Sequence, residues 1–367
     1  MNNGAVTSAF LVALEDTVTP NNGYIVKTVD GFVTAPQVRP TTGNVTTTWP
    51  ASSKGMRLAT GAAGATVSTS SGVQFAQGTY TGDGTAIKAI TGLGFRPKAV
   101  IIKGNSAVEG HAVVRTATMT ASRPVTNSTG GPGISSLDED GFTVAYGAAD
   151  ASNTNELGTV YYWYAFGGQS VVAGSYTGNG GTKNVTGIGF QPVMAWVGLS
   201  ATGGAMRFRT TDMGANDLDF AANSGSATAI TSLDADGFTL GSNSDVNTNG
   251  TVYYYVAFNS SGNLAVGTYT GNGSDSRNLP ASALSFDPTC AHIKGELGQE
   301  AVFKTASLAG DAAFQYGSVV AVTNRIQSIA ATTGQFQVGT DAEVNNSPST
   351  YYFFAVKPYS GLDGIVF

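Results

Sequence analysis

The sequence has 367 residues, 18 Lys plus Arg against 24 Asp plus Glu, a net charge of −6 and only 11% charged residues, less than half the roughly 25% of an ordinary soluble domain. So few cations on a net-acidic chain make nucleic acid a poor partner, one Cys and two His form neither an internal disulfide nor a Cys/His zinc cluster, and no apolar run reaches the ~18 residues of a membrane span. At 41% hydrophobic and 10% aromatic, the chain still has ample material for packed cores.

Residues 1–77 stand apart from the rest of the chain. Met1-Asn2-Asn3-Gly4 has no cationic start and no apolar stretch behind it, which does not read as a signal peptide. Ser8 to Glu15, with Phe10, Leu11 and Leu14, is the nearest thing to a helix, and Asn22-Gly23 between Val18 and Ile25 reads as a hairpin turn. Residues 40–77 are dense in Thr, Ser, Ala and Gly, with Trp49, Met56 and Leu58 as the spaced large apolar residues. Such a stretch has little core to bury, so 1–77 is expected to be an extended arm or a small docking domain, with Trp49, Met56 and Leu58 gripping a partner.

From residue 78 the chain repeats itself. Gly78-Thr79-Tyr80-Thr81-Gly82-Asp83-Gly84 returns as Gly174-Ser175-Tyr176-Thr177-Gly178-Asn179-Gly180 and as Gly267-Thr268-Tyr269-Thr270-Gly271-Asn272-Gly273. Gly94-Phe95-Arg96-Pro97 matches Gly189-Phe190-Gln191-Pro192 and, loosely, Ser285-Phe286-Asp287-Pro288. Leu137 to Val144 matches Leu233 to Leu240 around Asp-Gly-Phe-Thr, eroded in the third copy to Gly334-Gln335-Phe336-Gln337-Val338. Aromatic runs close the units: Tyr161 to Phe166, Tyr253 to Phe258 and Tyr351 to Val356. The units are 78–173, 174–266 and 267–359, followed by a short tail, 360–367. A period near 95 residues is domain-sized, too long for a solenoid of roughly 20–50 residues per repeat. Short β-branched and aromatic runs punctuated by Gly, Asn, Asp and Ser predict an all-β fold of three tandem antiparallel sandwich- or barrel-like units.

The closing runs are bulky on both faces: Tyr161, Trp163 and Ala165 on one, Tyr162, Tyr164 and Phe166 on the other. A strand of that kind is expected to be covered on both sides, in the unit's own core or against a neighbour. Tyr162, Tyr164, Tyr254 and Tyr352, with Trp196, are therefore candidate interface residues or a platform for stacking a sugar.

No catalytic constellation emerges. Cys290 and His292 sit two apart on an expected strand, but the same slots hold Ala99 and Ile101 in the first unit and Met194 and Trp196 in the second, which marks them as packing positions. His111 is expected at the surface. Asp138 with Asp140, and Asp234 with Asp236, offer oxygens for Ca²⁺ but lack the spacing of a calcium loop, and read as turns into a strand. The Gly178-Asn179-Gly180-Gly181 loop has no Lys-Ser/Thr and reads as a tight turn at φ > 0. No cofactor is expected.

Taken in order, Gly-x-Tyr-Thr-Gly-Asn-Gly, Gly-Phe-x-Pro, Asp-Gly-Phe-Thr and Tyr-Tyr-x-x-Ala-Phe resemble a repeat of tailed-bacteriophage virion proteins found in tails, fibres and on capsids. The resemblance spans 78–359, is strongest in the first two units, and weakens in the third at Ser285 and at the missing acids. It implies a non-enzymatic virion structural protein, a capsid decoration or fibre component, assembled in the host cytoplasm with other virion proteins. The particle is then the partner that Trp49, Met56 and Leu58 would grip. The alternative is a carbohydrate- or receptor-binding module that meets a host-surface glycan. A homotrimer is expected, unless the three units mimic a trimer within one chain.

Overall fold

The structure, a computed structural model, describes residues 72–106, 110–126, 133–147, 153–198 and 204–358. These belong to one compact unit, Ser71–Phe367. The other, Met1–Ser70, lies outside the described residues, and with it Trp49, Met56, Leu58, the Ser8 segment and the Asn22-Gly23 turn; the 360–367 tail lies outside as well.

The first repeat runs β1 (Gln74–Thr81), β2 (Ile87–Thr91), β3 (Ala99–Gly104), β4 (Val113–Thr116), β5 (Arg123–Pro124), β6 (Ile134–Asp138), β7 (Gly141–Ala145) and β8 (Val160–Gly167). The second runs β9 (Val171–Thr177), β10 (Lys183–Thr186), β11 (Met194–Gly198), β12 (Arg207–Thr210), β13 (Leu218–Asp219), β14 (Ile230–Asp234), β15 (Gly237–Leu240), the one-turn helix α1 (Ser244–Asn247) and β16 (Val252–Phe258). The third runs β17 (Leu264–Thr270), β18 (Arg277–Leu279), β19 (Cys290–Gly295), β20 (Val302–Thr305), β21 (Phe314–Gln315), β22 (Ile326–Thr332), β23 (Gln335–Val338), α2 (Ala342–Asn345) and β24 (Thr350–Val356).

Each repeat folds the same way. A five-stranded sheet, β1-β8-β3-β4-β5 in the first, packs on a three-stranded one, β2-β7-β6, and all pairings are antiparallel. The closing strand lies second in the large sheet, between the opening strand and the middle strand. Gly78, Gly174 and Gly267 sit directly opposite Trp163, Tyr255 and Phe353, so the repeated motif occupies one position in all three units. The opening strands begin a few residues before the motif, at Gln74, Val171 and Leu264. Residues 74–77 thus pair with β8 instead of belonging to the arm, because Phe75 is buried and the strand continues past the glycine on both sides.

Strand alternation sends the closing residues to two different cores. Tyr161, Trp163 and Ala165 join Val100, Ile102, Phe142 and Val144 in the first repeat's own sandwich core. Tyr164 and Phe166 point the other way, into a core that all three repeats build together. There the rings of Phe166, Phe258 and Phe354 meet, with Phe166 5.0 Å from Phe258 and 6.4 Å from Phe354, both pairs near edge-on. Edge-on pairs each add about 0.5–1.5 kcal/mol beyond burial. The three large sheets therefore face one another about a pseudo-three-fold axis.

Backbone hydrogen bonds close the ring. Ala112 N–H donates to Tyr316 C=O at 2.7 Å, Ala301 N–H to Phe220 C=O at 3.3 Å, and Met206 N–H to Val125 C=O at 2.9 Å. Each donor precedes the fourth strand of its repeat and each acceptor follows the fifth, so one contact is made three times around the axis. Replacing Phe166 by Ala should lower stability by about 3–5 kcal/mol in urea unfolding, because the cavity opens where all three repeats meet.

Candidate functional site

The ring has two distinct ends. At its base Asn263 holds the first and last strands' outer ends together: its Oδ1 accepts from Val73 N–H at 3.2 Å, and its Nδ2 donates to Val73 C=O at 2.7 Å and Lys357 C=O at 2.9 Å. At the opposite end, the tip, lie the Tyr-Thr-Gly-x-Gly loops.

One buried asparagine organises each tip loop. Asn155 Nδ2 donates to Thr85 C=O and to Asp83 Oδ1, both at 2.8 Å. Asn247 Oδ1 accepts from Asn179 N–H at 2.8 Å, while its Nδ2 donates to Gly241 C=O at 2.7 Å and to Gly181 C=O. Asn345 does the same with Asn272 N–H at 3.0 Å, Ser274 C=O at 2.7 Å and Gly339 C=O at 3.0 Å. The glycines between are fixed by close approach: a Cβ on Gly82, Gly178 or Gly271 would stand 2.1–2.2 Å from a backbone oxygen. Stacked tyrosines clasp the same turn, Tyr80 on Tyr161, Tyr176 on Tyr253 and Tyr269 on Tyr351, with centroids 5.1, 5.6 and 5.2 Å apart. The hydroxyls of Tyr80, Tyr176 and Tyr269 donate to Thr154, Val246 and Val344 C=O at 2.5, 2.5 and 2.6 Å. All three asparagines stand six residues before the first tyrosine of the closing run, a spacing visible in the sequence but absent from the expected site.

The acids of the Asp-Gly-Phe-Thr hairpins face amides and hydroxyls. Asp138 and Asp234 accept from Thr143 and Thr239 hydroxyls at 2.8 and 2.6 Å; Asp140 and Asp236 accept from Gly94 and Gly189 N–H, both at 2.6 Å. The third repeat keeps the bond and exchanges its ends: Gly334 N–H of the hairpin donates to Asp287 of the opposite loop at 2.7 Å. Among the described residues no cluster of three or more His, Cys, Asp and Glu is placed to hold a metal ion. Gly84, Gly180 and Gly273 have φ of +68°, +75° and +71°, as the turn reading requires.

Charge is concentrated inside the tip, at the seams. Lys103, next to last in β3, reaches out of the first repeat to Val319 C=O of the third at 2.7 Å, and to Gly104 C=O at 3.1 Å and Gly110 C=O. Burial pulls its ammonium down to about 7. Lys294, at the same place in β19, reaches the second repeat at Ala221 C=O, 2.7 Å, and Asn223 C=O, 3.2 Å; burial brings it to about 8. The second repeat has Gly198 in that slot and supplies acceptors instead. Arg207 is buried against Asp217 at 2.8 Å, Asp245 at 3.2 Å and Asp219 at 3.6 Å. Burial opposes its charge, but the three carboxylates override it and hold the guanidinium above its ordinary value. The signal for both lysines was a cation closing an otherwise apolar middle strand.

The residues singled out from sequence fall on the inner faces. Tyr164 and Trp196 are fully enclosed in the central core, Tyr352 is buried in it, and Tyr162 and Tyr254 pack half-buried at its margin. A sugar ring has no access to Tyr164 or Trp196, because the large sheets turn those faces toward one another. Cys290 and His292 lie in the same core as Ile101 and Trp196. Burial pushes the Cys290 thiol upward and holds His292 far below its ordinary value, so both are neutral. His292 Nδ1 meets the Tyr316 hydroxyl at 2.9 Å, which meets that of Tyr164 at 2.6 Å. His111 is half-buried on the Thr126 hydroxyl at 2.9 Å. A cavity of about 370 Å³ in the third repeat is lined by Asp287, Lys304 and Gln327, but the Lys304 ammonium already donates to Gly310 and Ala312 C=O at 2.8 and 2.5 Å.

A family profile described as Domain of unknown function (DUF7483) matches residues 70–174 and 167–285, together more than half of the chain. A search of curated proteins and a search of solved structures returned no match.

Two outcomes follow from the tip loops and the buried tyrosines. Asn247→Ala should cost about 1–3 kcal/mol in urea unfolding, since it removes the buried side-chain amide that bonds the Asn179 N–H and the Gly181 and Gly241 carbonyls. Raising pH should unfold the protein above about pH 10. Burial holds Tyr80, Tyr164, Tyr269 and Tyr316 well above the ordinary tyrosine value, so the folded state keeps protons that the unfolded chain releases from about pH 10 upward. Their stabilising effect is complete below that pH and declines above it. Tyrosinate absorbance for these groups should rise together with loss of β-sheet circular dichroism, not before it.

Proposed function

The chain belongs to the family described as Domain of unknown function (DUF7483), and we propose that it is a non-enzymatic structural protein on the surface of a tailed-bacteriophage particle, as a capsid decoration or fibre component. One observation carries this reading: the repeats spend their aromatic and charged residues on sealing a pseudo-three-fold ring. A body of that symmetry fits a three-fold position on a particle with a single chain, where a homotrimer of one-repeat subunits would otherwise be needed. The repeat signatures resemble those of virion proteins, which supports the same reading. The function is then to present a stable body, with the residues before β1 as the attachment region.

The chain enters the ring at Val73 and leaves it at Lys357, both on Asn263. A protein of residues 72–358 should remain soluble and folded by circular dichroism and gel filtration, yet be missing from particles assembled without the full-length chain. Normal occupancy by this truncation would place attachment in the repeats. Binding of the full chain to host-surface glycans, with no place on the particle, would favour a receptor-binding module instead.

A further inference from the structure

The seam between the second and third repeats holds an amine and a carboxyl group in an arrangement that an ion pair alone does not account for. Lys294 and Asp219 are both fully buried, with Nζ 3.8 Å from Oδ1. The two oxygens of Asp219 are treated differently. Oδ2 accepts from Asn223 Nδ2 at 2.6 Å and lies 3.6 Å from Arg207 Nη1, whereas Oδ1 has no hydrogen-bond partner. Buried polar atoms are almost always bonded, and a buried charge pair stabilises only when its remaining lone pairs are satisfied. The Lys294 amine thus stands beside the one Asp219 oxygen that no hydrogen bond holds, in a seam closed to solvent.

We propose that Lys294 and Asp219 condense into an intramolecular isopeptide bond that staples the third repeat to the second. The step balances without any co-reactant. A proton passes from the ammonium to Asp219, leaving a neutral amine beside a neutral acid. The Nζ lone pair attacks Cγ, and a C–N bond forms. The Cγ–Oδ1 bond then breaks, and Oδ1 leaves as water with two of the three ammonium protons. Oδ2 remains as the amide oxygen, and Arg207 and Asn223 are the donors placed to hold the negative charge it gathers in the tetrahedral adduct. Burial shifts both groups toward these reactive neutral forms, Asp219 upward and Lys294 down to about 8.

The rest of the seam is consistent with one such bond. Asp217 and Asp245 keep Arg207 engaged beside Asp219, and Glu300 follows Gln299, whose carbonyl accepts from Lys294. At the place of Asp219 the first repeat has Pro124, and the third has Gln315, whose amide is taken by Glu343 at 2.6 Å. Lys103 therefore has no matching carboxyl, and the staple belongs to one seam of three.

Mass spectrometry of the full-length protein tests this. The intact wild-type chain should be one water lighter than its sequence. Its tryptic digest should contain Thr210–Arg277 joined to Asn278–Lys304, uncut after Lys294. Asp219→Asn should give the same joined peptide by loss of ammonia, and Lys294→Arg should have the full sequence mass and be cut after residue 294. Separate recovery of Asn278–Lys294 and Gly295–Lys304 from the wild-type protein at unchanged mass would overturn the proposal, and this measurement on the wild type stands even if neither variant folds.

Discussion

A strand with two apolar faces cannot rest at the edge of a molecule, and the whole architecture answers that constraint. Each closing strand puts one row of rings into its own sandwich and a second row, equally bulky, on the opposite side. The three-stranded sheet covers only the first. The second row would remain in water if a repeat stood alone, at about 25 cal/mol for each Å² of apolar surface. Three repeats solve the problem together, each offering its uncovered face to the other two. The ring hydrogen bonds, the lysines crossing the seams and the shared aromatic core all follow from that single deficit.

Much of this was legible in the sequence. The repeat spacing, the all-β class, the turn glycines and the need to cover both faces of Tyr161 to Phe166 follow from residue type and period alone. What was not legible is which surface would do the covering. Periodicity assigns Tyr164 to a face, but whether that face meets a neighbour, a sugar or solvent depends on contacts between residues far apart in the chain, such as Tyr164 with Tyr316. The tip asparagines were missed for a different reason. An Asn in a Ser/Asn/Thr-rich stretch looks like loop composition, and only its constant distance from the following tyrosine distinguishes Asn155, Asn247 and Asn345 from their neighbours. Lys103 and Lys294 were hidden because a cation at the end of an apolar strand usually marks an exit to solvent, whereas here it reaches into the next repeat.

Carrying the three repeats in one chain lets the axis be filled unequally. A homotrimer must place three copies of one side chain around its axis, and the volume then changes in steps of three. Here the equivalent slots hold Ile101, Trp196 and His292, one of them large, and the His ring lies flat on Phe354 at 4.7 Å. Close packing tolerates no void much larger than a methyl group, so unequal residues can fit a centre that equal ones would leave either hollow or strained. The same freedom accounts for the exchanged bond of the third repeat. Asp287 can replace the hairpin acid because only the amide-to-carboxylate link between the two loops matters, not which loop carries the charge.

The clasp at Asn263 carries a consequence for how the chain could be cut and rejoined. Because Val73 and Lys357 share one side chain as partner, the entry and exit of the ring are neighbours, and the links between repeats cross at that same end. In a closed circle of three sandwiches that share one topology, no member is first by necessity. A gene for the ring opened between Gly167 and Val171, with Val73 and Lys357 joined through a short linker, would encode the same circle read from a different starting point. Chain order in this protein is then set by translation, not by the topology that the three repeats share.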